Sequence, residues 1–396
     1  MRLLLIADTF PPLRTSGAVQ LYDLSREIVK QGHSLTIILP SADLSSPWQV
    51  ECDEGIQVVR LHAPKTKDIS YLKRSINEFF MPFSMWMNLR KSPIAHQQWD
   101  GIVWYSPSIF HGPLVSRLKR ASGCKSYLII RDIFPNWAVD LELMGRNPPF
   151  YFFDAVARYQ YSVADSIGVQ SEGNLRYFHK WAGRQGRKLE VLQNWLADGP
   201  VKKCSISLEE TPIAGRRVFV YTGNMGVAQG MDILLDVAER LKSRVDIGFL
   251  FVGRGSEVCR LKLDAHERGL HNVIFRDEIH PSEIPGLYAQ CHFGLVVLDP
   301  RHKSHNIPGK FLTYLQSGLP VLASINAGND LAELIRHEEV GLVSEDGSVE
   351  NLVCLATDLA GRSDGTNETQ MRCRALFMKL FTPGVAARQI VDSFKK

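Results

Sequence analysis

The chain has 396 residues, 45% of them hydrophobic and 22% charged, with a formal net charge of +4. That length exceeds one ordinary core and predicts two domains of roughly 150–200 residues each. The composition is that of a soluble globular protein, and so mild a positive charge argues against a dedicated nucleic-acid binder while leaving an anionic membrane surface open as a partner.

Seven cysteines, Cys52, Cys124, Cys204, Cys259, Cys291, Cys354 and Cys373, are scattered without CxxC or zinc-type spacing. An odd, unpatterned set suits a reducing cytoplasm better than a disulfide framework. At the N-terminus an apolar run of about five residues ends at Asp8, short of the roughly 7–15 that a signal peptide needs. It predicts a buried strand, Leu3–Ala7. No apolar run reaches about 18 residues, so no membrane span is expected.

In chain order, the loop Asp8–Gly17 leads to a helix from Ala18 to Gln31, which Gly32 ends. Strands follow at Ser34–Leu39, Val58–His62, Gly101–Tyr105, Ser126–Ile130, Ser166–Gln170 and Leu189–Leu192. Residues 198–216 are polar and poor in large apolar side chains, and read as an interdomain connection. A second series opens at Val218–Tyr221, with a loop at Gly223–Gln229 and a helix at Gly230–Lys242. Ile233, Leu234, Val237 and Leu241 give that helix its apolar face. Further strands fall at Ile247–Val252, Val273–Arg276, Phe293–Leu298, Pro320–Ser324 and Gly341–Val343, and a last helix at Pro383–Phe394.

Strands alternating with helices mark parallel sheets covered on both faces. The class predicted is α/β, with two Rossmann-like domains facing across a cleft. The divisions expected are 1–200, 201–380 and a C-terminal tail 381–396, which either crosses back to the first domain or packs on the second. Ligands on such sheets sit outside the carboxyl ends of the strands.

Candidate site residues follow from that rule. Residues 305–321 read as a loop entering a short helix that stops at Gly318. Pro308 suits the first helical turn, and Lys310 adds a full positive charge to the helix start, which makes an anion site. Glycine-bearing loops, Gly223-Asn-Met-Gly-Val-Ala-Gln-Gly230 and Gly253-Arg-Gly255, follow strands, as does the opening segment up to Gly17. Glycine there lets backbone N–H groups approach a phosphate, although tight turns need glycine too. None of these loops is a Walker motif or a full dinucleotide fingerprint. Asp132 follows the strand Ser126–Ile130, as a functional carboxylate or as the cap of the next helix. No metal is expected, since metal-ligand patterns such as D-x-D and H-E-x-x-H are missing, and His111 and His179 read as structural or solvent-facing. Residues 71–91 carry basic pairs around a Phe/Met/Trp-rich centre. They form either an interfacial helix on anionic lipid or a helix packed on the sheet and kinked at Pro82.

These residues resemble the family 4 retaining glycosyltransferases of GT-B architecture. The resemblance rests on Pro11-Pro12…Gly17, Gly223-Asn-Met-Gly…Gln229-Gly230, Val252-Gly253 and Pro308-Gly-Lys…Gly318-Leu-Pro-Val. Arg131-Asp-Ile-Phe-Pro and Gly-Asn-Met-Gly-Val-Ala-Gln-Gly further resemble the WbuB-type branch, which builds bacterial O-antigens and related surface glycans.

The resemblance implies a UDP-sugar co-substrate and no separate cofactor. Gly17, Gly223, Asn224, Gln229, Gly253, Arg254, His305, Asn306, Pro308, Gly309, Lys310 and Thr313 would bind the donor, with Asp132 catalytic. The sugar implied is an N-acetylated hexosamine or deoxyhexosamine, moved with retention and without metal. The acceptor implied is a glycan or a polyprenyl-diphosphate-linked sugar at the inner face of the cytoplasmic membrane. Two departures stand out. The family's Glu-x7-Glu pair falls on His305 and Thr313, and the usual Arg and Lys of the Gly223 loop are Asn224 and Gln229. A UDP-sugar 2-epimerase and a non-catalytic nucleotide-sugar-binding subunit are the competing readings.

Overall fold

The computed structural model describes residues 1–13, 15–140, 143–199, 202–298, 307–362 and 366–395. The chain forms two compact units, Met1–Ala197 together with Pro383–Lys396, and Asp198–Thr382.

The first unit is built on eight strands: β1 (Arg2–Ile6), β2 (Ser34–Ser41), β3 (Trp48–Asp53), β4 (Ile56–His62), β5 (Gly101–Ser106), β6 (Lys125–Ile130), β7 (Ser166–Val169) and β8 (Lys188–Val191). Their order is β3-β4-β2-β1-β5-β6-β7-β8, and every pairing is parallel except β3 with β4. Strand side chains alternate between faces. Leu4 and Ile6 therefore enter one core with Ile102, Trp104, Leu128 and Ile130. Leu3, Leu5 and Ala7 enter the other with Val103, Tyr105, Tyr127 and Ile129. Burial on both faces is why these strands read as unbroken apolar runs.

β3 has no counterpart among the sequence expectations. It is an edge strand with mostly exposed side chains, so it carries no apolar run. Its hairpin closes through Glu54 (φ 46°) and Gly55 (φ 82°), two left-handed residues that suit the twist of a two-residue connection.

The final helix, Pro383–Asp392, belongs to the first unit. Its Ala386, Ala387, Ile390 and Val391 pack with Leu21, Leu24 and Ile28 of the helix Ser16–Lys30. Gln389 Nε2 donates to the Val191 carbonyl at 2.8 Å. A Cβ on Gly101 would fall 2.7 Å from the Phe394 ring, so the end of the chain presses directly on β5.

The second unit carries β9 (Arg217–Asn224), β10 (Ile247–Arg254), β11 (Val273–Arg276), β12 (Phe293–Val297), β13 (Val321–Ser324) and β14 (Gly341–Ser344). The order is β11-β10-β9-β12-β13-β14, parallel throughout. Phe219 stacks on Phe249 at 5.5 Å and on Phe293 at 4.7 Å, tying the three central strands. β9 and β10 run further than expected: Gly223 pairs with Gly253 and Asn224 with Arg254, so the predicted loops begin as strand ends. Among the described residues, no helix is long and apolar enough to cross a membrane.

Candidate functional site

At the carboxyl ends of β9 and β10 the backbones nearly touch. A Cβ on Gly253 (φ 153°) would lie 1.9 Å from the Gly223 carbonyl oxygen, so only glycine fits. Gly223 (φ 123°) has open space around its Cα, and there the backbone conformation is what demands glycine. The two glycines thus first serve strand pairing, and they leave an unobstructed backbone surface at the rim.

Beyond them, Asn224 Nδ2 donates to Gln229 Oε1 at 3.2 Å, and the Gly226 N–H donates to the same oxygen at 3.0 Å. The neutral pair found in place of Arg and Lys therefore braces its own loop. Arg254 is exposed and lies 3.3 Å from Glu278 Oε2, so its charge is shared with a carboxylate.

The helix expected within 305–321 spans Gly309–Ser317. Pro308 is its extended N-cap rather than a first-turn residue, a correction of one position, and Gly309 opens the helix. Gly318 closes it in the left-handed region (φ 76°), as a helix-ending glycine should. His305 and Asn306 lie outside the described residues.

Lys310 is the centre of the arrangement. Its Nζ sits 3.6 Å from the centroid of the buried Tyr221 ring. The ring face attracts the ammonium. Even so, burial lowers the Lys310 pKa to about 7. The full positive charge expected from the sequence is therefore only partly present at neutral pH. An anion delivered to Nζ would restore it.

Thr313 is half-buried. Its hydroxyl donates to the Lys310 carbonyl at 2.8 Å and approaches the Tyr288 hydroxyl at 3.5 Å. Tyr288 in turn hydrogen-bonds Thr222. The Tyr314 hydroxyl reaches the Val220 carbonyl at 3.1 Å and the Leu295 carbonyl at 3.2 Å, while the Thr222 N–H donates to it at 3.3 Å. The helix is thereby pinned through its middle to β9 and β12. Tyr221, Thr222, Tyr288 and Tyr314 escaped the sequence reading, although Tyr314 stands four residues after Lys310 and so on one helix face.

In the first unit, Asp132 follows β6 and is exposed. The protein packed around it displaces enough water to raise its carboxyl above the ordinary range, against the lowering effect of Arg131. Arg131 is buried, with its guanidinium 5.1 Å from the Trp195 ring centroid and 5.9 Å from that of Tyr105. It also donates to Gln20 Oε1, and Gln20 is bonded to Trp195 in both directions through Nε2 and its carbonyl. Gly17 stands over this cluster: a Cβ there would come within 3.0 Å of the Tyr105 hydroxyl. His111 is fully buried, as a structural histidine would be, and burial lowers its pKa.

Two α/β units in tandem, each on a largely parallel sheet, have the architecture of the GT-B fold, and the matches to glycosyltransferases make the chain a transferase. Residues 216–360, most of the second unit, match the family model of glycosyl transferases group 1. WcaI of Escherichia coli (strain K12), named as a colanic acid biosynthesis glycosyl transferase, is 24% identical over 386 residues, covering 89% of this chain and 90% of WcaI. Among solved structures, Anabaena HepE in complex with UDP superposes with a TM-score of 0.68 at 16% identity, covering 99% of each chain. Sucrose-phosphate synthase from Thermosynechococcus elongatus gives a TM-score of 0.70 at 15% identity, over 99% of this chain and 97% of that one. These matches do not favour the epimerase or the non-catalytic reading.

Proposed function

We propose that this glycosyltransferase uses a UDP-sugar, carrying an N-acetylated hexosamine or deoxyhexosamine, in the assembly of a bacterial surface polysaccharide. The acceptor is a glycan or a polyprenyl-diphosphate-linked sugar. The observation that carries the donor reading is Lys310: a lysine half-buried at a helix head, on an aromatic ring, has its charge disfavoured until an anion arrives. A diphosphate supplies that anion, and the first amides of the helix add donors to it. WcaI, named for colanic acid biosynthesis, supports the polysaccharide context, and the UDP in HepE supports the nucleotide.

In this reading transfer is retaining and independent of metal. The bond from the anomeric carbon to the phosphate oxygen breaks as the acceptor hydroxyl oxygen bonds to the same face of that carbon. The hydroxyl proton passes to the departing phosphate oxygen, so no protein nucleophile is used. Lys310 and the helix-head amides stabilise the charge that develops on the diphosphate, and Asp132 acts on the acceptor side.

A panel of UDP-, GDP- and dTDP-sugars screened for protection against thermal unfolding tests the donor class, because a ligand that binds only the folded state raises Tm. UDP-sugars should protect and the others should not. Protection by GDP-sugars alone would overturn the choice of nucleotide. Proton NMR of the product's anomeric centre then reads the stereochemistry, and an inverted centre would reject retention.

A further inference from the structure

The helix Tyr71–Leu89 has two apolar stripes where a surface helix needs one. Met81, Met85 and Leu89, spaced at four residues, are buried against the first unit. On another face Leu72 (74% exposed), Ile76 (50%), Phe80 (55%), Phe83 and Met87 (61%) form a second row at helical spacing, open to solvent. Phe79 joins it and bridges to the neighbouring helix Pro148–Val163, with ring centroids 5.4 Å from Phe80 and 6.1 Å from Phe152. Tyr151, Phe152 and Tyr159 extend the surface along that second helix. An apolar surface this continuous exceeds the scattered exposed residues that any soluble protein carries.

Its charge is one-sided. Glu78 and Asp154 are each neutralised within their own helix, by Arg74 at 2.8 Å and Arg158 at 2.7 Å. Among the described residues, Asp68, just before the first helix, is an exposed acid nearby. Lys73 at one end of the apolar row, Arg90 and Lys91 at the other, and Arg117 and Arg146 alongside make no ion pair among the described residues. The Arg117 guanidinium lies 5.5 Å from the Phe83 ring centroid and 5.8 Å from that of Trp86. Cations thus bracket and edge an aromatic row.

We infer that the surface made by the helices Tyr71–Leu89 and Pro148–Val163 docks on an anionic phospholipid bilayer. Phe79, Phe80, Phe83 and Met87 enter the headgroup–acyl boundary, and Lys73, Arg90, Lys91 and Arg117 meet lipid phosphates. An apolar row bracketed by unpaired cations is complementary to an anionic interface on both counts, apolar depth and surface charge. The inference stands on this surface alone and does not depend on the identity of the donor.

Co-sedimentation of the full chain with vesicles tests it. The protein should pellet with vesicles containing phosphatidylglycerol, release in high salt, and stay in solution with phosphatidylcholine alone. The double variants Phe80→Ser/Met87→Ser and Arg90→Glu/Lys91→Glu should each weaken binding by at least about tenfold while keeping the parent's Tm. Leu263→Ser, which removes an exposed leucine from the second unit, should bind as the parent does. Failure of the parent to pellet, or pelleting of both double variants like the parent, overturns the inference. So does light scattering in which Phe80→Ser/Met87→Ser converts a dimer to a monomer without vesicle binding by the parent, because the surface then belongs to a second copy.

Discussion

Replacing Lys310 by methionine keeps an unbranched side chain of similar length against Tyr221 and removes only the titrating charge. In the free protein burial sets the Lys310 pKa near 7. A bound diphosphate favours the ammonium, so its pKa rises in the complex and binding takes up a proton above neutrality. If the complex stays protonated to pH 9, linkage makes UDP affinity about tenfold weaker at pH 8 than at pH 6, and about ninetyfold weaker at pH 9. The variant loses a charge-assisted contact of about 1.5–3 kcal/mol, roughly ten- to a hundredfold in affinity at pH 6. It also loses the lysine's part of the pH dependence. Calorimetric titration of UDP into both proteins from pH 6 to 9 separates this from the nucleotide's own phosphate titration, which the variant reports by itself. The depressed pKa also sets the sign for stability: the folded state binds fewer protons than the unfolded one, so stability falls as pH falls. A lysine whose folded pKa is depressed costs nothing above its unfolded pKa, and its penalty grows as pH falls toward the folded value. The unliganded parent should therefore lose Tm relative to Lys310→Met as pH drops from about 10 to 7, and change little below that. Equal affinities and parallel pH profiles would remove Lys310 from the donor site.

Asp132→Asn should lower turnover by about a hundredfold or more, as loss of a proton-handling carboxylate does, with UDP affinity and Tm unchanged. Full activity in that variant would reject a catalytic role for Asp132. Tyr314→Phe keeps the ring that fills the space above Gly294 and removes the hydroxyl shared by Thr222, Val220 and Leu295. Denaturant unfolding should show a loss of about 1–3 kcal/mol from the stranded backbone groups, and a change too small to resolve would show that the hydroxyl does not pin the helix.

What the sequence made legible was what periodicity and punctuation encode. Strands buried on both faces appear as unbroken apolar runs, and Gly318 announced its helix end because a left-handed residue is a local requirement. β3 was invisible because an exposed edge strand needs no apolar run. The site was legible in position more than in role. Gly223 and Gly253 were read as giving room to a phosphate, yet their most immediate task is to let two backbones pack together. They come so close that a methyl group on Gly253 would lie 1.9 Å from the Gly223 carbonyl oxygen, which no spacing along one chain reveals. Asn224 and Gln229 looked like weakened ligands, but their mutual hydrogen bond holds the rim in shape. Tyr221 is distant from Lys310 in sequence, and only the packing of the helix Gly309–Ser317 against β9 brings its ring to 3.6 Å from Nζ. The same helix carries Thr313, where the resemblance places a carboxylate. With its hydroxyl held by the Lys310 carbonyl and near Tyr288, position 313 serves the helix head on which Lys310 depends.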